Sequence, residues 1–123
     1  MPPPQKSEKQ AEKQPERKPE LGTADNRLII AGTVVRAPET RYSPAGIPIS
    51  RFAMEHQSRQ LEAGMPREAV CRMTVVAAGE SLQSAVCALV PGSRVRVSGF
   101  LSRAGHRAGE DRLVLHAQAI VIA

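Results

Sequence analysis

The chain has 123 residues, enough for one domain, and a formal net charge of +5. A basic surplus of that size favours phosphate-bearing partners, and it bears on association rather than on fold. No apolar run reaches the ~18 residues of a membrane-spanning helix, and the N-terminus lacks the apolar centre of a secretory signal, so a cytoplasmic setting with no membrane partner is expected.

Residues 1–24, MPPPQKSEKQAEKQPERKPELGTA, carry five prolines, five basic and four acidic residues, and almost nothing apolar. Such a stretch cannot bury enough surface to offset its ordering entropy, so a disordered tail is expected. Glu8, Glu12 and Glu16 with Lys9 and Lys13 have the spacing of a transient helical turn, which Pro15 and Pro19 limit. The folded domain is expected over 25–123. All four lysines fall in the tail, and the remainder carries twelve arginines against eight acidic residues.

From Arg27 on the pattern is that of strands. Arg27–Arg36 is rich in β-branched residues and free of proline. The stretch RYSPAGIPISRF follows, a Pro/Gly corner between two apolar runs. Residues 48–57 alternate, with Phe52, Met54 and His56 on one side and Arg51 and Glu55 on the other. A loop, SRQLEAGMPRE, leads to a third strand over 68–77. There Ala69, Cys71, Met73 and Val75 oppose Val70, Arg72, Thr74 and Val76. Leu82, Val86 and Leu89 recur at helical spacing, and Pro91-Gly92 ends that run. Residues 93–103 alternate again, with Val95, Val97, Gly99 and Leu101 inward. In 112–122, Leu113, Leu115, Ala117, Ala119 and Val121 share a face. Three strands, a short helix and two strands make an all-β, five-stranded OB-fold, a Greek-key barrel with its helix between strands 3 and 4. Gly32 and Gly99 stand mid-strand, where a barrel needs a bend or bulge. Cys71 and Cys87 lack metal-ligand spacing and read as small buried hydrophobes in a reducing compartment.

The outward faces are where function is sought. The fourth strand shows Arg94, Arg96, Ser98 and Phe100, an aromatic interleaved with positive charge, as single-stranded nucleic acid requires. The competing reading slips the register and places Phe100 in the core or in a subunit contact. The third strand shows Val70 and Arg72. The segment 103–112 combines Gly105 and Gly109 with the basic Arg103, His106, Arg107 and Arg112, its charge reduced by Glu110 and Asp111, and reads as an oligonucleotide-wrapping loop or a solvated hairpin tip. Met65 and the arginines Arg59 and Arg67 stand in the loop before the third strand. No nucleophile elbow, carboxylate pair or phosphate-cradling glycine loop is present, and His56, His106 and His116 share no ligand spacing with the cysteines. Neither an enzyme nor a metal or other cofactor is expected.

Asn26 to Val34, then Pro38, Arg41, Ser43-Pro44, Gly46-Ile47-Pro48, Phe52 and Glu55-His56, form a run that resembles the bacterial primosomal replication protein N (PriB) family. The likeness continues through Glu62-Ala63-Gly64, Gly79, Gly92-Ser93, Gly99-Phe100 and Leu115-His116-Ala117, over essentially all of 25–123. The opening portion is also similar to the parent single-stranded DNA-binding proteins. The resemblance implies a homodimer of OB-folds that binds single-stranded DNA and joins the PriA helicase and DnaT in replication restart. Carried over by position, DNA contacts fall on Arg41, Val70, Phe100, Arg107 and Arg112. Charge, face and the loops add Arg36, Tyr42, Met65, Arg67, Arg72, Arg96 and Arg103. Members of the best-known type have an aromatic at the position of Met65 and a tryptophan at that of Val70; this chain has no tryptophan. Binding is therefore expected to be largely electrostatic. A protein adaptor for the helicase with weak DNA binding, or a generic single-strand binder, are the alternatives. Tyr42 either stacks on a base or braces its loop.

Overall fold

The structure, a computed structural model, describes residues 24–105 and 112–123. Most of the tail, residues 1–23, and Arg107 lie outside the described residues. Six strands are present among these residues: β1 (Leu28–Val34), β2 (Glu39–Tyr42), β3 (Pro48–Glu62), β4 (Met65–Ala78), β5 (Arg94–Arg103) and β6 (Leu113–Ile122). A 3-10 turn at Glu80–Leu82 runs into α1 (Gln83–Cys87). The extra strand, β2, takes in Arg41 and Tyr42 of the expected corner with the two residues before them; the other five are the barrel. Counting β2, the helix lies between β4 and β5.

The sheet order is β1-β5-β6-β4-β3-β2, and a second pairing of β1 with β3 closes it. All ladders are antiparallel except β4 with β6, the crossover that makes the topology a Greek key. β1 pairs with β5 from Leu28 to Thr33, and with β3 only at Thr33 and Val34. Gly32 permits the change of partner: a Cβ there would meet the Glu55 carbonyl oxygen and the Met54 methyl. The alternating inward residues meet in one cluster of Val34, Phe52, Met54, Val75, Val95, Val97 and Leu115, with Leu89 entering from beyond the helix. Each fully buried side chain of this kind contributes about 1.5–3 kcal/mol.

Three sequence readings need correction. The stretch 58–68 is no loop: β3 and β4 run on as a paired hairpin to Glu62 opposite Met65, turning on Ala63 and Gly64 alone. Both turn residues have positive φ, 53° and 76°, the geometry that matches the right-handed twist of the flanking strands. Ala-Gly is a weak signal for that turn, and Pro66 obscured it further. Next, β6 does not keep one face. Ser98 pairs with Ala119 but Gly99 with Ala117, so Gln118 is an inserted bulge residue. Leu115 and Ala117 point to the core, and so does Ile120, while Ala119 and Val121 point out. Finally, Cys71 and Cys87 are exposed. Cys71 lies on the hairpin beyond the barrel, where neither face is covered.

Two stability changes follow. Gly32→Ala presses a methyl onto fixed backbone of β3, so it lowers the unfolding free energy by about 1–3 kcal/mol. Ala63→Asn relieves a left-handed backbone and raises stability by up to about 1 kcal/mol. Urea titration followed by circular dichroism measures both, and a neutral Gly32→Ala refutes the closure argument.

Candidate nucleic-acid interface

Alternation puts the arginines of the barrel strands outside. Arg72 of β4, Glu55 of β3, Thr33 of β1 and Arg94 of β5 are successive cross-strand partners, all exposed. Arg72 reaches Glu55 at 3.7 Å with both side chains more than half exposed, a pair worth roughly 0–1 kcal/mol. Beside that row Arg96 stands across from Ala31. Arg94 and Arg96, with Thr33, Glu55 and Gln57, line an open groove over the free edge of β1. His56 bridges this edge to β3. Its Nδ1 donates to the Ala31 carbonyl at 2.6 Å, and its Nε2 meets the Ser58 hydroxyl at 2.7 Å.

β3 has 15 residues, about 50 Å of extended chain, and its distal half leaves the barrel with β4 as an arm. The arm carries Met65, Arg67 and Val70 of the expected contacts, and Arg72 stands where it leaves the barrel. Val70 is 60% exposed and Met65 66%, so both are available as contact surface. Arg67 and Arg72 are ion-paired, Arg67 with Glu62 at 2.7 Å. Leu61, also highly exposed, adds apolar surface at the tip.

Arg41 and Tyr42 are on β2, not on a loop. With Glu39, Ile49 and Arg51 they line a second groove, and Arg36 is exposed just after β1. The corner itself is held by Ser43, whose amide donates to the Ile47 carbonyl and whose hydroxyl accepts from the Ile47 amide. Bracing needs burial or a partner, and Tyr42 is 68% exposed with no side-chain hydrogen bond or ring contact among the described residues.

On β5 the register is the expected one. Arg94, Arg96 and Phe100 are exposed, and Val95, Val97 and Gly99 are buried. Phe100 is outside, which removes the placement in the core. Its ring stacks on His116 of β6 at 5.0 Å between centroids and 9° between planes. Arg103 ends β5 and donates from Nε to the Gly105 carbonyl at 2.8 Å. The Arg112 carbonyl accepts from the Ala104 amide at 2.9 Å and shuts the base of that hairpin. So Arg96, Phe100 and Arg103 share one strand, with Arg112 across from its end. Arg41 and Tyr42 stand on β2 and Arg36 in the turn before it, and Met65 and Arg67 stand at the far end of the arm. Sequence reasoning passed over Arg51 and Arg94 as site residues, although their outward parity was legible. It also passed over Arg27 and His116; for His116 the outward parity beside Leu115 and Ala117 was legible, and its register opposite Phe100, set by the bulge, was not. Among the described residues, no three of His, Cys, Asp and Glu come together to hold a metal ion.

A profile described as "Another single-strand binding protein family" matches residues 26–119. A replication restart protein PriB from Photorhabdus laumondii is 50% identical over 95 residues, covering 77% of this chain and 90% of that protein. The solved PriB of Ralstonia solanacearum superposes with a TM-score of 0.68 at 27% identity, over 80% of this chain and 98% of that one. The single-stranded DNA-binding protein of Thermus aquaticus does so with a TM-score of 0.65 at 25% identity, over 80% of this chain and half of its own. An OB-fold barrel, a profile over three quarters of the chain and half-identical relatives agree: the chain belongs to the single-strand-binding protein family, within its replication restart protein PriB group.

Proposed function

We propose that this chain is a non-catalytic single-stranded DNA-binding factor of replication restart. The observation that carries this reading is the outer face of β5, where an exposed Phe100 follows Arg94 and Arg96 on the same side of the strand. Arginine forks meet phosphates, the ring offers a base its face, and neither reads sequence. Relatives named as replication restart protein and a neighbour named as single-stranded DNA-binding protein support it. The binding is largely electrostatic, because exposed Val70 and Met65 offer no stacking face. Arg36, Arg41, Tyr42, Arg67, Arg72, Arg96, Arg103, Arg107 and Arg112 supply the rest of the track. The protein bridges DNA to the PriA helicase and DnaT and works in the cytoplasm. No helix among the described residues is long and apolar enough to cross a membrane.

A homodimer belongs to the proposal. Among the described residues the outer edge of β1 from Leu28 to Gly32 has no strand beside it, and an open edge is a template for a second strand. A second reading, chiefly a protein adaptor for the helicase, draws on the arm, whose Leu61, Met65 and Val70 form exposed apolar surface suited to a protein partner.

Fluorescence anisotropy with labelled oligo-dT over a salt series separates the two. Wild-type protein binds at micromolar concentration in low salt and weakens steeply as salt rises. Each lost phosphate contact flattens the plot of log K against log salt by about 0.7, the expected result for Arg96→Ala. Absence of binding in low salt sinks the DNA reading and leaves the adaptor. Sedimentation at several concentrations should give a dimer, and a monomer throughout refutes the open-edge argument.

A further inference from the structure

We infer that Phe100 and His116 form a built base-stacking site, with Arg27 as its phosphate contact. The inference rests on the single-strand-binding reading and adds two residues that neither the sequence pattern nor the family likeness assigned. Its ligand is one nucleotide of a single strand.

The bulge at Gln118 makes the site. Beyond it the outward residues of β6 are Ala119 and Val121; uninterrupted alternation would next place Ala117 outside. The extra residue turns Ala117 inward and gives the outer place to His116, directly opposite Phe100. Bulges of this kind re-aim side chains near functional sites. The two strands also approach unusually closely here. A Cβ at Gly99 would run into the His116 carbonyl, so only glycine is admitted beside the pair. The rings meet nearly parallel, 5.0 Å apart.

His116 covers one face of the Phe100 ring and holds it in place. The opposite face turns away from β6, toward β1, and Phe100 remains 38% exposed. Asn26 then brings Arg27 to that side. Its side-chain amide donates to the Leu101 carbonyl and accepts from the Leu101 amide, both at 2.9 Å, in place of a paired strand residue. This extends the β1 ladder past Leu28, which pairs with Gly99, and sets Arg27 beside Phe100 in the outward parity of Ile29. Arg27 is exposed, with no ion pair or hydrogen bond among the described residues. A base on the free face of Phe100 has its backbone within the sphere of that guanidinium. Stacking tolerates any base, which suits a sequence-independent binder. A pair that served only the barrel would be expected inside it, and these rings lie on the face shared with Arg96.

The test compares labelled oligo-dT with an abasic oligomer of the same length, by anisotropy on the full chain. Phe100→Ala and His116→Ala each weaken oligo-dT binding about five- to a hundred-fold, the range of one lost stack. The double variant binds about as weakly as Phe100→Ala alone, and abasic binding is unchanged in all three. Arg27→Ala weakens both oligomers alike and flattens the salt dependence. His116→Phe restores oligo-dT affinity, while His116→Gln does not, a comparison that stands even where an alanine variant folds poorly. Equal loss on both oligomers in His116→Gln, no loss at all, or equal affinity of His116→Phe and His116→Gln overturns the stacking site. Those results leave the wild-type DNA affinity, and so the proposed function, intact. Failure of the wild type to bind either oligomer removes both.

Discussion

Everything in this barrel depends on β1 serving two partners. Along most of its length it is bonded to β5, and at Thr33 and Val34 it also meets β3. The turn from one to the other happens where Gly32 leaves no side chain between the strands. Without that contact the sheet is open and Met54 loses its enclosure. With it, each strand has an inside and an outside, and Val34, Phe52, Met54 and Leu115 are buried inside. The outward direction of Arg51, Arg72, Arg94 and Arg96 is a consequence of the same closure.

The outer surface combines charge with little aromatic area. Its two described ion pairs, Arg67 with Glu62 and Arg72 with Glu55, are exposed to solvent and therefore cost little to exchange for another anion. The remaining barrel arginines carry their charge toward water. Arginine is suited to this because its planar fork both meets phosphate oxygens and stacks. Val70 and Met65 give the arm apolar area without a ring face, so the flat contact surface is concentrated at Phe100, His116 and Tyr42. That distribution separates the arm, suited to irregular apolar contacts, from the β5–β6 face, suited to flat ones.

The barrel strands and their inward residues were legible because a half-buried strand repeats every two residues. Val95, Val97 and Leu101 oppose Arg94, Arg96 and Phe100 in the sequence as they do in the fold. The corner RYSPAGIPISRF was legible as a corner through Ser43, Gly46 and Pro48, although its Arg41 and Tyr42 pair with Ile49 and Pro48 as part of β2. Elsewhere the pattern failed for definite reasons. An arm exposed on both faces has no hydrophobic alternation to read, so 58–68 looked like a loop and Cys71 looked buried. In β6 the alternation of small apolar residues continued through Gln118, while the backbone there gained a residue.

Composition and periodicity alone determined a basic, mostly β domain and most of the residues that face its core, and offered an outward phenylalanine among arginines as one of two readings. Those properties follow from local chemistry, because a side chain's polarity and its place in a two-residue repeat need no distant partner. Tertiary structure decided which strand β1 closes on, how far the β3–β4 arm projects, and that His116 rather than Ala117 stands against Phe100. These depend on register between segments far apart in the chain, and a single inserted residue at Gln118 reverses every side chain on one side of it.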